Sequence, residues 1–453
     1  MVLWKFTLAT VLVTFLSALG TPAWGQAPDC SLVSVRCVGS GQEYLTIQAA
    51  SDAAVAGDTV FVFDGSYAGF QIAHSGTSIA PITFKANSAN VILSEITPIV
   101  GNAGPGGDGI YINDVNYVII DGFKIQNVTY RCISGRNATA TDPMIGLIIR
   151  NNICSNSGWY GFYLANISSS LIQGNNISNT GISGLDPKGP GIYLANGGAD
   201  NNTFRANVIH DITQTSGAGM HFNGDISNGG DGIISGLLVE DNVIYNVGQN
   251  GLNMDGVQDS TIQNNIIYRP AKNALRAYQI DANAGPQNLK IINNTFVVPS
   301  TSVNWAINLT QDLGGDVIFN NILIQEGSNG GSISIDNSNF SSNNNAVVDR
   351  FSLDGSNTTI SLTSWRASGA NRDQNSFLST DSALFVNPSS TPPDYHLKTG
   401  SPAINAGLSS FSGAAAPSTD VTGVARPQGA AFDIGPYEVP AAAKKRRGQL
   451  ISD

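Results

Sequence analysis

The sequence predicts an all-β chain folded as a right-handed parallel β-helix, a solenoid of stacked strands with an N-terminal capping helix. An Asn-containing turn recurs along the chain, and short strands of alternating apolar residues follow a Gly or Ala in successive repeats. Only 12% of the 453 residues are charged, whereas Gly occurs 50 times. A helical protein would carry more Lys, Glu and Ala on its exposed faces, so this composition favours strands and turns.

Residues 1–25 have the features of a secretory signal peptide. Lys5 precedes an apolar run from Phe6 to Leu19, and Ala23-Trp24-Gly25 places small residues before a cleavage site at Gln26. An uncleaved membrane anchor is the alternative, but the apolar run is short for a membrane span. We therefore expect a secreted, periplasmic or cell-surface protein without a membrane span.

Four cysteines fit the oxidising compartment that export implies. Cys30 and Cys37 are close in sequence, whereas Cys132 and Cys154 are about one repeat apart. We expect disulfide bonds Cys30–Cys37 and Cys132–Cys154, with buried free thiols as the alternative.

Residues 26–107 are expected to form the N-terminal cap and the first coils. The pattern over residues 44–56 predicts a short amphipathic helix, and residues 57–62 predict the first strand. A solenoid exposes an apolar end unless something covers it, and this helix is placed to do so.

Residues 108–345 predict the repeats of the β-helix. Successive copies of the turn Asn lie 23 to 35 residues apart, which indicates coils of constant size with insertions in their loops. Asn tolerates left-handed backbone angles, and its amide can hydrogen-bond to the Asn of the next coil. The predicted ladder consists of Asn152, Asn176, Asn207, Asn242, Asn265, Asn294 and Asn321.

The alternating strands predict which side chains face the core. Period two sends Phe162, Ile192, Met220, Leu252, Leu275 and Ile307 inward. Their neighbours then form two outward columns. One column runs Tyr163, Tyr193, His221, Asn253, Arg276, Asn308, and the other runs Ala165, Ala195, Asn223, Asp255, Tyr278, Thr310.

The last part of the chain loses this period. Residues 346–440 predict C-terminal coils and a segment that closes the fold, and residues 441–453, with four consecutive basic residues, predict a disordered basic tail. The net charge of −11 argues against nucleic acid or an anionic membrane as a partner. It also disfavours an acidic polysaccharide unless local basic residues or a bound cation offset the repulsion, and we expect a monomer.

Two segments resemble a known family. Thr46-Ile47-Gln48-Ala49-Ala50, with Ala56-Gly57-Asp58-Thr59-Val60, is similar to the cap and first coil of many secreted β-helix proteins of the pectate-lyase-like superfamily. Residues 394–407, with Asp433-Ile434-Gly435-Pro436-Tyr437-Glu438, resemble the closing segment of bacterial members. The resemblance implies the fold but not one reaction, because the superfamily includes lyases, hydrolases, epimerases, esterases and binding proteins.

The chain departs from one motif of that superfamily. It lacks the Asp-Pro-His-Asp motif of mannuronan epimerases and has only Asp186-Pro187-Lys188-Gly189. The resemblance therefore favours a polysaccharide lyase over an epimerase.

The outward columns predict a groove for a polysaccharide. With coils roughly 4.8 Å apart, six coils span about 24 Å, which is long enough for several sugar rings. Insertions at residues 181–190 and 225–236 could wall this groove. The predicted substrate-binding residues are Tyr163, Tyr193, Asn223, Asn253, Asp255 and Asn308.

The middle of the columns carries groups suited to β-elimination of a uronate-containing glycan. Such a site must neutralise a carboxylate, remove the C5 proton and protonate the leaving oxygen. Arg276 is the candidate for the first task, His221 or Lys188 for the second, and Tyr278 or Tyr193 for the third. Structural roles are the alternative, with His221 bonded to a carbonyl and Arg276 paired with Asp255.

Calcium is the one candidate cofactor, because Asp225, Asp231 or Asp255 could hold it in place of the guanidinium. Two other functions fit the same groove. A glycoside hydrolase would use two carboxylates, for which Asp225 and Asp255 are available, and a non-catalytic adhesin would bind a glycan without turnover.

Overall fold

The computed structural model describes residues 28–98, 106–136, 140–184, 188–356 and 358–440. The predicted signal peptide at residues 1–25 and the predicted basic tail at residues 441–453 lie outside these ranges. Within them, no helix is long and apolar enough to cross a membrane.

Three long parallel sheets form the walls of a solenoid, which confirms the predicted parallel β-helix. Each full coil passes from sheet 3 to sheet 1, turns at an Asn, continues in sheet 2 and returns to sheet 3. Sheet 1 comprises Val35–Val38, Thr59–Val62, Ile82–Ala86, Val118–Asp121, Ile148–Arg150, Leu171–Gln173, Thr203–Arg205, Leu238–Glu240, Thr261–Gln263, Lys290–Ile292, Asp316–Phe319 and Phe340–Asn343.

The other two sheets follow the same stacking order. Sheet 2 comprises Gly65–Tyr67, Val91–Leu93, Lys124–Val128, Ile153–Ser157, Asn176–Thr180, Val208–Ile212, Val243–Val247, Ile266–Pro270, Thr295–Val298, Ile322–Gln325, Ala346–Val347 and Phe377–Leu378. Sheet 3 comprises Phe70–Ile72, Ile110–Asn113, Ile133–Arg136, Phe162–Ala165, Ile192–Ala195, Met220–Asn223, Leu252–Asp255, Leu275–Tyr278, Ile307–Leu309, Ile333–Ile335 and Phe351–Ser352.

Short elements lie outside these sheets. Four two-stranded pairs join Met144–Ile145 with Ile167–Ser168, Ile234–Ser235 with Val257–Gln258, Phe385–Asn387 with Asp394–Leu397, and Ser410–Phe411 with Ala414–Ala415. In the described parts of the chain, the helices are Ile47–Ala53, a 3₁₀ turn at Ile226–Asn228, Leu362–Ala367 and Asp381–Leu384.

The core is a set of apolar rows that run along the solenoid. The six side chains predicted to face inward from sheet 3 are all fully buried, which confirms their orientation. Alternation along each strand sends one face to the core, and parallel pairing places equivalent residues of successive coils on top of each other.

A ladder of buried asparagines connects the turns between sheets 1 and 2. Each Nδ2 donates to Oδ1 of the next Asn at 2.9–3.1 Å, and each member is at most 1% exposed. Each Nδ2 also donates to a main-chain carbonyl, as Asn242 does to Phe204. The ladder consists of Asn152, Asn175, Asn207, Asn242, Asn265, Asn294, Asn321 and Asn345.

One predicted member of the ladder is wrong. Asn176 belongs to sheet 2, where it pairs with Ile153 and Val208, and Asn175 takes the ladder position. The tripeptide Asn-Asn-Ile occurs in two registers, because Ile153 faces outward whereas Ile177 faces the core. The tripeptide alone therefore cannot place the turn.

The residue before each ladder Asn has the left-handed backbone that the sequence assigned to the ladder itself. Asn264 has φ of 55°, and Asn293, Asn320 and Asn344 have similar values. The left-handed backbone thus occurs at one position of the turn, and the amide that bonds to the next coil occurs at the position after it.

The predicted capping helix spans Ile47–Ala53 rather than residues 44–56, and Thr46 accepts a hydrogen bond from the Ala49 amide as its N-cap. Ile47 and Ala50 are buried against the first coils. The first strand is not residues 57–62 but Val35–Val38, which pairs with Thr59–Val62. The strand Val35–Val38 has only two valines, which flank Arg36 and Cys37, so the alternation of apolar and polar residues is hard to recognise in its sequence.

Both predicted disulfide bonds are present: Cys30–Cys37 joins the chain before the first strand to that strand, and Cys132–Cys154 lies within the core. The second bond joins the loop before one sheet 3 strand to sheet 2 of the next coil. It therefore crosslinks two consecutive turns of the solenoid.

A second helix, Leu362–Ala367, covers the other end of the core. Trp365 stacks on Phe351 with ring centroids 4.8 Å apart, and its Nε1 donates to Asp373 at 2.8 Å. The last ladder residue, Asn345, donates to the same carboxylate at 2.8 Å. The ladder thus ends on the residue that holds the C-terminal cap.

Residues 381–440, here called the outer segment, fold back over the outer face of sheet 2. Tyr395, Ile434 and Tyr437 are buried there against Tyr268 and Ile322. The left-handed asparagines of the later turns bind this segment through main-chain carbonyls. These bonds run from Asn264 to Thr419, from Asn293 to Asp433 and Gly435, from Asn320 to Leu408, and from Asn344 to Ala406.

Replacing Asn242 with Ala tests the ladder. The change leaves the Asn207 amide groups and the Phe204 carbonyl without their buried partner, so the free energy of unfolding should fall by about 3 kcal/mol. Urea unfolding followed by circular dichroism measures this fall. Asn87→Ala, which removes one surface hydrogen bond to Asp64, should cost less than about 1 kcal/mol. Equal losses in both variants would contradict a special role for the ladder.

Asp241 occupies a turn position where five other coils have Asn, and burial, aided by Glu240 and Asp420, raises its pKa to about 7. In the unfolded chain the pKa of Asp241 has its ordinary value of 3.8. Between pH 3.8 and about pH 7 the folded state therefore binds one more proton than the unfolded state, and the free energy of unfolding falls as pH rises through that range. Asp241→Asn should therefore raise the free energy of unfolding by about 1–3 kcal/mol at pH 8 but not at pH 4. Asp259→Asn, at an exposed turn, is the control; a gain at both pH values in Asp241→Asn would contradict the titration.

Candidate functional site

The outward column predicted for sheet 3 is continuous in the structure. Main-chain register aligns Tyr163 with Tyr193, Tyr193 with His221, and His221 with Asn253. Arg276 and Asn308 continue the column in the next two coils. The alternating pattern therefore identified one surface that runs along the solenoid.

Aromatic rings occupy the N-terminal part of this surface. Tyr163 and Tyr193 stack with centroids 5.5 Å apart and an interplanar angle of 5°, and Tyr160 stacks on both. His221 lies 4.8 Å from Tyr193 in an edge arrangement. The rings are half-buried, and the Tyr193 ring lies beside the His221 imidazole.

Two arginines contact the aromatic rings at the N-terminal end of this surface, Arg136 partly exposed and Arg131 buried. The Arg136 guanidinium lies 4.9 Å from the centroid of Tyr163, and Arg131 lies 5.3 Å from the same ring and 5.1 Å from Trp159. Such cation–π contacts hold a positive charge against an aromatic face. Arg131 also forms a buried ion pair with Asp108 at 3.1 Å.

Asp108 is unusual because it is fully buried. Burial raises its pKa to about 6, although the positive charges of Arg131 and Arg136 act in the opposite direction. The ion pair with Asp108 thus holds Arg131 against the Tyr163 ring, and burying the Asp108 carboxylate costs desolvation energy.

The C-terminal part of the column is a hydrogen-bonded cluster. Asn250 donates to Asn253, which donates to the Tyr278 hydroxyl at 2.7 Å, and Arg276 lies 4.5 Å from the Tyr278 ring. Tyr278 is only 6% exposed, and burial raises its pKa to about 12. Its position beneath Arg276 suits support of that guanidinium better than the predicted role as the acid that protonates the leaving oxygen.

Asp255 is 1% exposed and holds a loop. Its two carboxylate oxygens accept the amides of Ile280 and Asp281, each at 2.8 Å. Burial raises its pKa, and these amides act in the opposite direction. Asp255 and Arg276 thus have other partners than the ion pair considered as a structural alternative.

The other predicted calcium ligands bind turn amides. Asp225 accepts the Ser227 amide at 2.7 Å as the N-cap of a 3₁₀ turn, and Asp231 accepts the Ile233 amide at 2.9 Å. Across the described ranges, no group of three or more His, Cys, Asp or Glu side chains is placed to hold a metal ion. Calcium remains a prediction from the sequence.

The remaining predicted residues differ in accessibility. Asn223 is 4% exposed and Asn308 is 8% exposed, so both lie in the floor of the surface. Lys188 is exposed, but Asp186 and Pro187, from the same short motif, lie outside the described residues. The described parts of the two insertions lie at opposite edges of sheet 3, because residues 188–190 lead into one of its strands and residues 225–236 leave another.

Comparison with known proteins places this architecture. A family model described as a right-handed β-helix region matches residues 68–228. Among solved structures, the pectate lyase Pel9A superposes with a TM-score of 0.58 at 15% identity, over 86% of this chain and 90% of that one. The chain therefore has the fold of a right-handed parallel β-helix protein.

A second solved structure superposes less well on this β-helix. An alginate lyase from Paenibacillus sp. str. FPU-7 aligns with a TM-score of 0.48 at 19% identity, over 66% of this chain and 94% of that one. Comparison with curated proteins finds no match. At these identities the comparisons establish the fold, so the reaction must be argued from the β-helix itself.

Sequence reasoning missed the arginine end of the surface. The strand Ile133–Arg136 follows Cys132 instead of Gly, so it does not show the pattern that identified the later strands. Aligning the coils by the turn would have placed Ser134 above Tyr163 and Arg136 in the neighbouring column. Trp159 and Tyr160, directly before Gly161, were a further signal.

Asp255→Ala tests the structural role of this carboxylate. Loss of the two bonds should accelerate hydrogen exchange at the Ile280 and Asp281 amides at least tenfold. Asp336, which accepts the Gln311 and Asp312 amides in a later coil, gives the matched control. Asp336→Ala should open only its own loop; unchanged exchange at residues 280 and 281 in Asp255→Ala would mean that other contacts hold the loop.

Proposed function

We propose that the outer face of sheet 3 binds a uronate-containing polysaccharide and that the protein cleaves it by β-elimination. The observation that carries the proposal is the adjacency of Tyr193 and His221 on a long surface that also presents Arg136 and Arg276. Arg136 and Arg276 offer positive charge to an anionic polymer on a chain whose net charge is −11. The predicted export agrees with a substrate outside the cell.

In this proposal His221 is the base and Tyr193 is the acid. Burial is the main factor that raises the pKa of Tyr193, and Tyr163, Asp281 and Asp225 add to it, so the phenol keeps its proton at neutral pH. It can then donate that proton to the leaving glycosidic oxygen while His221 removes the C5 proton. The C4–O bond breaks and a C4–C5 double bond forms, which yields an unsaturated uronide.

Arg276 is the proposed partner of the substrate carboxylate. A guanidinium can bind a carboxylate through two parallel hydrogen bonds, which lowers the cost of removing the neighbouring proton. Tyr278 and Asn253 would fix the position of Arg276 from below. Lys188 is the second candidate base, and calcium held by Asp225 or Asp231 is a second way to neutralise the carboxylate.

A second glycan-directed function is binding without turnover. The length of the outward column favours it, because side chains from Tyr163 to Asn308 could contact several sugar rings without taking part in a reaction. Hydrolysis by Asp225 and Asp255 has less support, because main-chain amides occupy the Asp255 carboxylate.

The test is ultraviolet absorbance during incubation with alginate, pectate and chondroitin, each with calcium and with a chelator. We expect one polymer to yield an unsaturated product, with the rate reduced at least a hundredfold in His221→Ala and Tyr193→Phe. His210→Ala and Tyr245→Phe are matched controls, because these residues form a stacked pair with centroids 5.0 Å apart on sheet 2.

The outcomes separate the alternatives. New reducing ends without absorbance would indicate a hydrolase, and polymer binding without either product would indicate a binding protein. Full activity in His221→Ala would remove His221 from the mechanism. Activity lost with the chelator and restored by calcium would support the metal in place of Arg276.

A further inference from the structure

A cavity of about 470 Å³ lies away from the face proposed for the uronate. A sheet 2 strand contributes Arg269, the loop after another sheet 2 strand contributes Glu326, and the outer segment contributes Asp381, Ser389 and Tyr395. Small-molecule sites commonly have volumes of about 300–1,000 Å³. The cavity is therefore large enough for one or two sugar units.

Packing holds the outer wall of the cavity in place. Tyr395 is 5% exposed, and its ring lies 4.9 Å from Phe385 and 5.4 Å from Tyr268. Its strand pairs with Phe385–Asn387, and Lys398 donates to the Ser382 carbonyl at 2.6 Å. The wall is thus formed before any ligand arrives, which limits the entropy lost on binding.

The charges in the cavity differ from those on the face of sheet 3. Glu326 and Asp381 contribute two carboxylates, whereas Arg269 contributes one positive charge. Burial raises the pKa of Glu326, Asp381 raises it further, and Arg269 acts in the opposite direction, as expected for charges that share one space. An anionic ligand would meet net repulsion from these groups, so a uronate is a poor ligand for this cavity.

The polar groups suit the hydroxyl groups of a sugar. Carboxylates accept hydrogen bonds from hydroxyl donors, and such charge-assisted bonds are stronger than neutral ones. Thr301 and Ser389 add hydroxyl groups, while three prolines and Tyr395 add apolar surface. A few polar groups among apolar walls are typical of sites that bind a small ligand in one orientation.

We propose that this cavity binds an uncharged sugar unit, with Glu326 and Asp381 accepting hydrogen bonds from its hydroxyl groups and Tyr395 contacting its carbon atoms. The site is separate from the outer face of sheet 3, so sugar binding there would be a function in addition to the proposed elimination. It would let the protein hold a neutral glycan, or a neutral part of a mixed polysaccharide, while the other face contacts uronates.

Isothermal titration calorimetry with cellopentaose, xylopentaose, mannopentaose and a galacturonate oligomer tests the proposal. At least one neutral oligosaccharide should bind, and Glu326→Ala and Asp381→Ala should each weaken that binding at least tenfold. Glu43→Ala, an exposed glutamate near the other end of the solenoid, should leave the affinity unchanged. Thermal unfolding checks that each variant is folded.

Other outcomes would overturn the proposal. These are no binding of any neutral oligosaccharide, equal affinity in both cavity variants, or galacturonate binding that these variants abolish. The ultraviolet assay on Glu326→Ala separates the two sites. Unchanged elimination with lost neutral-sugar binding would support two independent sites, and loss of both would show that the cavity belongs to the elimination site.

Discussion

The buried asparagine ladder is the interaction on which the rest of this β-helix depends. Eight turns are joined by amide-to-amide bonds of 2.9–3.1 Å, and each side chain also binds main-chain groups. An amide buried without water must satisfy all its polar atoms, and only another turn stacked in register can do so. Fixing the turn also fixes where the sheet 2 strand begins, which keeps the sheets aligned over many coils.

The same turns also attach the end of the chain. The ladder residue bonds along the solenoid, while the left-handed residue before it points outward and binds the outer segment in the later coils. This attachment buries the apolar face of sheet 2 and positions Tyr395 and Asp381 at the cavity. The proposed neutral-sugar site therefore depends on contacts made by the second function of the turn.

Much of the architecture could be predicted because stacking repeats a local pattern. The inward side chains of sheet 3 and the order of the outward column follow from period two along each strand. The ladder was misplaced at Asn176 because adjacent asparagines allow two registers, and the first strand was missed because it carries little alternation. These errors arise where the local signal is ambiguous and the three-dimensional register decides.

The site could be predicted less completely. Tyr278 and Asp255 face outward in pattern, yet a guanidinium covers one and loop amides engage the other, which depends on loops whose course the pattern does not contain. Arg131 and Arg136 reach Tyr163 from a strand with an atypical sequence. The candidate functional groups are thus held by contacts that differ from coil to coil, whereas the fold is held by contacts that repeat in every coil.

The variable spacing of the ladder has a consequence for how such a protein can diverge. Loops beside sheet 3 can lengthen or shorten without moving a strand, because the turn on the opposite side sets the stacking. A single-residue deletion inside a sheet 3 strand would instead exchange its core and solvent faces. New substrate preferences should therefore arise mainly through changes in the loops beside sheet 3, while the strands of sheet 3 stay the same. The length of a strand should be under much stronger selection than the length of a loop.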